Sequence, residues 1–113
     1  MFNDSHEINE RLQNLHKAFL ASLFDRVRAI EALWHIVKCQ DTGTSPEATE
    51  LYRAVHSLAG SAGTFGQKYT GDIAHQLECT LQQCLNSPLA IDAASRELIE
   101  RELQILKQSV THS

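Results

Sequence analysis

The stretch AVHSLAGSAGTFG, Ala54 to Gly66, decides how this chain is read. Val55, Leu58, Ala62 and Phe65 recur at steps of three, four and three, the apolar rhythm of a helix packed on a core. Gly60 and Gly63 interrupt it, although glycine inside a helix costs about 1 kcal/mol relative to alanine. At 100° per residue the apolar stripe that starts at Leu51 points one way, and His56 lies about 140° from it, facing water. Gly60 and Gly63 fall about 180° and 120° away, on the histidine's own face one and two turns further on. Bare backbone beside an exposed imidazole is useful where another molecule must come close.

Outward from this stretch the chain reads as helix. Residues 1–42 contain no glycine or proline, and Leu12, Leu15, Phe19, Leu23, Val27, Ile30, Trp34 and Val37 keep a helical stripe. This is either one helix of about 50 Å or two helices meeting at a bend. Gly43 is expected to stop it, with Ser45 as N-cap and Pro46 in the first turn of the next helix. That helix ends at the glycines at 63 and 66. A third helix carries Tyr69, Ile73, Leu77, Leu81 and Leu85, with Gly71 a weak point in its first turn. Ser87 and Pro88 repeat the cap signal, and a last helix runs to about Val110 through Ile99, Leu103 and Leu106. No segment alternates like a strand. The expected fold is all-α: an up-and-down antiparallel four-helix bundle with an additional N-terminal helical segment, residues 1–113 forming one domain.

Composition narrows the function. With 113 residues the chain can bury a core without metal or disulfide support. Ten basic and fourteen acidic residues give a formal charge of −4, with no basic cluster, which argues against nucleic acid or an anionic membrane as partner. No apolar run approaches a membrane span and the start lacks a secretion leader, so a cytosolic location is expected. Cys39, Cys79 and Cys84 lack the spacing of a zinc or redox motif and read as small buried hydrophobes. His6, His16, His35, His75 and His112 fall in no metal-binding motif and read as surface or boundary residues. No metal site is expected.

A turn at about Gly66 would place His56 ten residues before it and Glu78 twelve residues after it, about 15 and 18 Å along two antiparallel helices. A carboxylate at that height can accept a hydrogen bond from Nδ1 of His56, leaving Nε2 free as a nucleophile, provided Glu78 turns inward.

These residues resemble the signature of histidine-containing phosphotransfer (HPt) domains: H-x-L-K-G-S, a glycine ten residues after the histidine, and L-E just over twenty after it. His56, Leu58, Gly60, Ser61, Gly66, Leu77 and Glu78 fall in register. The resemblance implies that His56 accepts a phosphoryl group from a receiver-domain aspartate and passes it on in a multistep phosphorelay. Glu78 would support the imidazole, and Arg53, Ala59, Gly60, Gly63 and Lys68 would contribute to the receiver-docking surface. It implies as partners the receiver domains of a hybrid sensor kinase, a response regulator, or both. Magnesium would come from the receiver, this chain being a monomer with no cofactor and no autokinase activity of its own; no nucleotide-binding loop is present.

The sequence departs from the pattern at Ala59, where the family usually carries a lysine that helps hold the phosphoryl group, and at Thr70, where it more often has an apolar residue. Lys68 lies about 18 Å from His56 by helical rise, so Arg53, one turn before the histidine, is the better substitute, unless it is only a solvated charge. Two rival readings stay open here. One is a degenerate module that docks a receiver without carrying phosphate; the other is a phosphoacceptor segment of a histidine kinase or a receiver phosphatase.

Overall fold

A computed structural model describes residues 3–111, and among these it contains four helices and no strand. They are α1 (Asn3–Val37), α2 (Pro46–Thr64), α3 (Lys68–Cys84) and α4 (Ala93–Thr111). Each packs against its neighbours in chain order and α4 closes back on α1, giving a four-helix bundle. His112 lies outside the described residues.

The core follows from helical spacing. Phe19, Leu23, Val27, Ile30, Trp34 and Val37 bury one face of α1, and Leu51, Val55, Leu58 and Ala62 bury one face of α2. Phe65, half-buried just beyond α2, stacks on Phe19 with ring centroids 4.4 Å apart. Helix α3 buries Thr70, Ala74, Leu77 and Leu81, and α4 buries Ile99, Leu103 and Leu106.

Of the two readings of the N-terminal region the single helix holds, and the additional N-terminal segment is the part of α1 that extends beyond the bundle. Other expectations are corrected. Leu12 and Leu15 are exposed, as are all of residues 5–18, because α2 to α4 are only 17–19 residues long and α1 outruns them. Tyr69 is exposed and Thr70 takes its place in the α3 stripe; the Thr70 hydroxyl donates to Ser109 Oγ at 3.0 Å, which satisfies the buried polar group. The Ser87–Pro88 signal does not start α4. Its first turn is capped by Asp92, whose Oδ1 accepts from Ser95 N at 2.7 Å. Cys39 and Cys79 are exposed and Cys84 is half-buried, so none is a fully buried hydrophobe.

The turns are specified by local chemistry. Ser45 caps α2, its Oγ accepting from Ala48 N at 3.0 Å, and Pro46 follows in the first turn. Helix α1 ends at Val37, before Gly43. That glycine instead is a close contact between loops: its N–H donates to Ser87 O and Leu89 O, and a Cβ there would lie 2.9 Å from Ser87 O. Gly66 has φ +79°, the left-handed conformation that lets the chain reverse from α2 into α3.

Candidate functional site

The hairpin of α2 and α3 brings the sequence-selected residues to one face. His56 is exposed, its side chain at 69% of full accessibility, whereas the Glu78 side chain retains only 12%. Glu78 turns inward as the site requires: His56 Nδ1 lies 2.6 Å from Glu78 Oε2. A carboxylate only accepts, so Nδ1 carries the proton and the neutral ring keeps its lone pair on Nε2.

Two further side chains complete this arrangement. The Tyr52 hydroxyl donates to the same Glu78 Oε2 at 3.2 Å, and its ring stacks on that of His56, one turn along α2, at 6.2 Å between centroids. On α3, His75 Nδ1 lies 3.5 Å from Glu78 Oε1. Burial opposes the charged form of Glu78, but the hydrogen bonds from His56 and Tyr52, the charge His56 carries when protonated and the nearby His75 outweigh it and hold its carboxyl below the usual value. Tyr52 is pushed the other way, by burial first and then by its hydrogen bond to Glu78 and the carboxylate's charge.

Beside the imidazole lies an open concavity of about 380 Å³. From α2 it is lined by His56, Ala59, Gly60 and Gly63, and from α3 by Lys68, Gly71, Asp72, His75 and Glu78. A Cβ at Gly60 or Gly63 would meet nothing within 4 Å among the described residues, so packing among these does not require either glycine. Gly71 is different. It is buried, and a Cβ there would come within 3.3 Å of Gly63 N, so its bare backbone lets the two helices approach under the site.

The concavity thus gathers Ala59, Gly60, Gly63 and Lys68 around His56. Lys68, set aside by helical rise alone, shares the concavity, and its Nζ donates to Asp72 Oδ2 at 2.8 Å. Arg53 is exposed on α2 but is not part of the lining and pairs with no described residue. Sequence reasoning missed Tyr52, Asp72 and His75. Tyr52 stands four residues before His56 and His75 three before Glu78, so the same helical geometry that paired His56 with Glu78 would have found both.

The Hpt domain family model matches residues 6–109. The chain belongs to the Hpt domain family. No curated relative and no solved structure matches it. Hpt domains are helical bundles that serve histidine phosphotransfer in phosphorelays, as phosphocarriers that interact with receiver domains. Among the described residues no helix is long and apolar enough to cross a membrane.

Proposed function

We propose that this Hpt domain accepts a phosphoryl group on Nε2 of His56 from the aspartate of one receiver domain and delivers it to another, without autokinase activity. The observation that carries the reading is the exposed imidazole whose Nδ1 is held 2.6 Å from a nearly buried carboxylate. In the transfer, the Nε2 lone pair forms the N–P bond as the P–O bond to the donor aspartate breaks, and the aspartate leaves with that electron pair. The proton stays on Nδ1, the ring becomes cationic, and Glu78 offsets the charge. Reversal of the same steps releases the phosphoryl group to an acceptor aspartate.

The rest of the chemistry is assigned to the receiver, which brings its aspartate and its magnesium ion to the open surface at Gly60 and Gly63. Ala59 and Lys68 lie within that docking surface and Arg53 beside it, one turn before His56. The chain acts as a monomeric, cytoplasmic single domain, with receivers of a hybrid sensor kinase, a response regulator, or both as partners. The alkyl side chain of Ala59 favours one competing reading, a module that docks a receiver without carrying phosphate.

Incubation with a phosphorylated receiver separates the two. Acid-labile phosphate should appear on His56 and be lost in His56→Gln, whose helical content and melting stay unchanged because the side chain is exposed. Receiver binding without label would establish the docking-only reading; label on another histidine would overturn the assignment.

A further inference from the structure

We propose that His75 is a second working imidazole of this site: held beside His56 by their shared carboxylate, it supplies as imidazolium the positive charge that a phosphoryl group on His56 needs. The inference rests on the phosphotransfer reading above.

Glu78 has one imidazole on each oxygen, His56 at 2.6 Å on Oε2 and His75 at 3.5 Å on Oε1. Their Nδ1 atoms both face this one carboxylate, so the two rings are near neighbours across the groove between α2 and α3. The longer distance is too great for a tight hydrogen bond, and the His75 side chain, at 70% accessibility, keeps freedom to lean toward a newly bound group. At the other edge of the His75 ring, Nε2 lies 3.9 Å from Cys79 Sγ. A thiol that distant holds the ring weakly.

The charges around the concavity say why a second cation is needed. Facing it from α2 are His56 and, behind it, the uncharged Tyr52; position 59, one turn beyond the histidine, is alanine. From α3 come Lys68, Asp72, Glu78 and His75, with Cys79 adjoining. Lys68 is paired with Asp72, which brings its own negative charge to the surface, and Glu78 is a further carboxylate. A phosphoryl group brings roughly two more negative charges into this surface. Of the groups present, only an imidazole readily gains a proton between about pH 5 and 8, and His75 is the one not consumed by bond formation. When His56 Nε2 binds phosphorus and the donor aspartate departs, His56 keeps its Nδ1 proton on Glu78 and His75 takes one proton from water. The incoming charge is then opposed from two sides.

The full chain can be phosphorylated with phosphoramidate, without any receiver, and the histidine rings followed by NMR titration before and after labelling. Phosphorylation is expected to move the His75 midpoint upward by about 0.5 to 1 pH unit, the size of effect two added charges produce at several Å in water-like surroundings. In receiver-dependent transfer, His75→Gln should be slower several-fold and less dependent on pH from 6 to 8, and His75→Lys should recover the rate with the pH dependence still flattened. Label on His56 with an unmoved His75 midpoint, or no rescue by lysine, overturns the role of His75 and leaves the phosphotransfer reading standing. Failure of His56 to take phosphate from either phosphoramidate or a receiver overturns both.

Discussion

His56 Nδ1 and Glu78 Oε2 are 2.6 Å apart although twenty-two residues separate them in sequence, and the same oxygen also accepts the Tyr52 hydroxyl. Two donors from one helix therefore converge on one acceptor from the next. The carboxylate is fixed by the ring it orients and by a phenol, which favours the His56 tautomer with its proton on Nδ1 and leaves Nε2 as the free nitrogen.

Removing that acceptor should cost reactivity more than fold. Glu78→Ala is expected to populate both neutral tautomers of His56, visible in nitrogen chemical shifts, and to slow phosphotransfer by on the order of tenfold to a hundredfold. An unchanged tautomer in the variant would remove this role from Glu78.

Glu78 also makes stability depend on pH in a stated direction. Its folded carboxyl titrates below its ordinary value of 4.5, so the unfolded chain takes up the proton first as pH falls. The stabilisation is present above the unfolded value and is lost as pH drops through the folded one. Urea midpoints of wild type and Glu78→Gln should therefore differ most near neutrality and converge below about pH 4, the region where an ordinary carboxylate titrates. A constant gap down to acid pH would show that the loss is steric.

Much of this was legible because the signals are periodic. The stripe from Phe19 to Val37 and the glycines around His56 need only helical spacing to be read. The overhang of α1 was not legible: Leu12 and Leu15 repeat with the same period as Phe19, and only the length of the neighbouring helices decides where burial begins. Lys68 was legible as part of the docking face but not in detail: it lines the same concavity as His56, and its Nζ pairs with Asp72 on its own helix, a partner that axial rise does not show. His75 carried no motif of its own, and its place in the site follows from sitting three residues before Glu78 on α3, a spacing that matters only once Glu78 is known to turn toward His56.

A buried carboxylate on α4 predicts a stabilising substitution. Glu102 retains 5% exposure, and its Oε1 has no hydrogen-bond partner among the described residues. Charged groups that lose water without full compensation are costly, and an apolar side chain of similar length removes the cost. Glu102→Met is expected to stabilise the fold by about 1 kcal/mol, read as a higher urea midpoint at unchanged slope. A lower midpoint would mean that the carboxylate is compensated in solution.

Gly43 should behave in the opposite sense. Alanine there would press its Cβ to 2.9 Å from Ser87 O and 3.2 Å from Cys84 O, both backbone atoms that cannot swing aside. The α1–α2 loop would be pushed off the segment after α3, weakening the bonds from Gly43 N to Ser87 O and Leu89 O. Gly43→Ala is expected to cost about 1 to 3 kcal/mol in denaturant unfolding, the range for overpacking. Phosphotransfer by the folded fraction should persist, since the site lies elsewhere; a folded but inactive variant would contradict this.

Gly60 separates packing from docking, because an added Cβ meets nothing within 4 Å and the position is helical. Alanine should therefore stabilise α2 by about 0.5 to 1 kcal/mol with no steric penalty inside the chain. Gly60→Ala and Gly60→Gln should both raise the melting temperature, since both residues favour helix over glycine. Their transfer rates should diverge. A methyl group one turn from His56 leaves most of the open surface, whereas the longer glutamine side chain occupies the space over which a receiver must bring its aspartate in line with Nε2. A misplacement of about 1 Å can cost roughly a hundredfold in rate. The measurement is a melting curve beside a receiver phosphotransfer time course for wild type and both variants. Equal rates for all three would show that the receiver does not cover Gly60, and equal loss in both variants would point to helix rigidity rather than bulk. The expected result, similar gains in stability with transfer impaired only by glutamine, assigns the glycine to the surface a partner must reach.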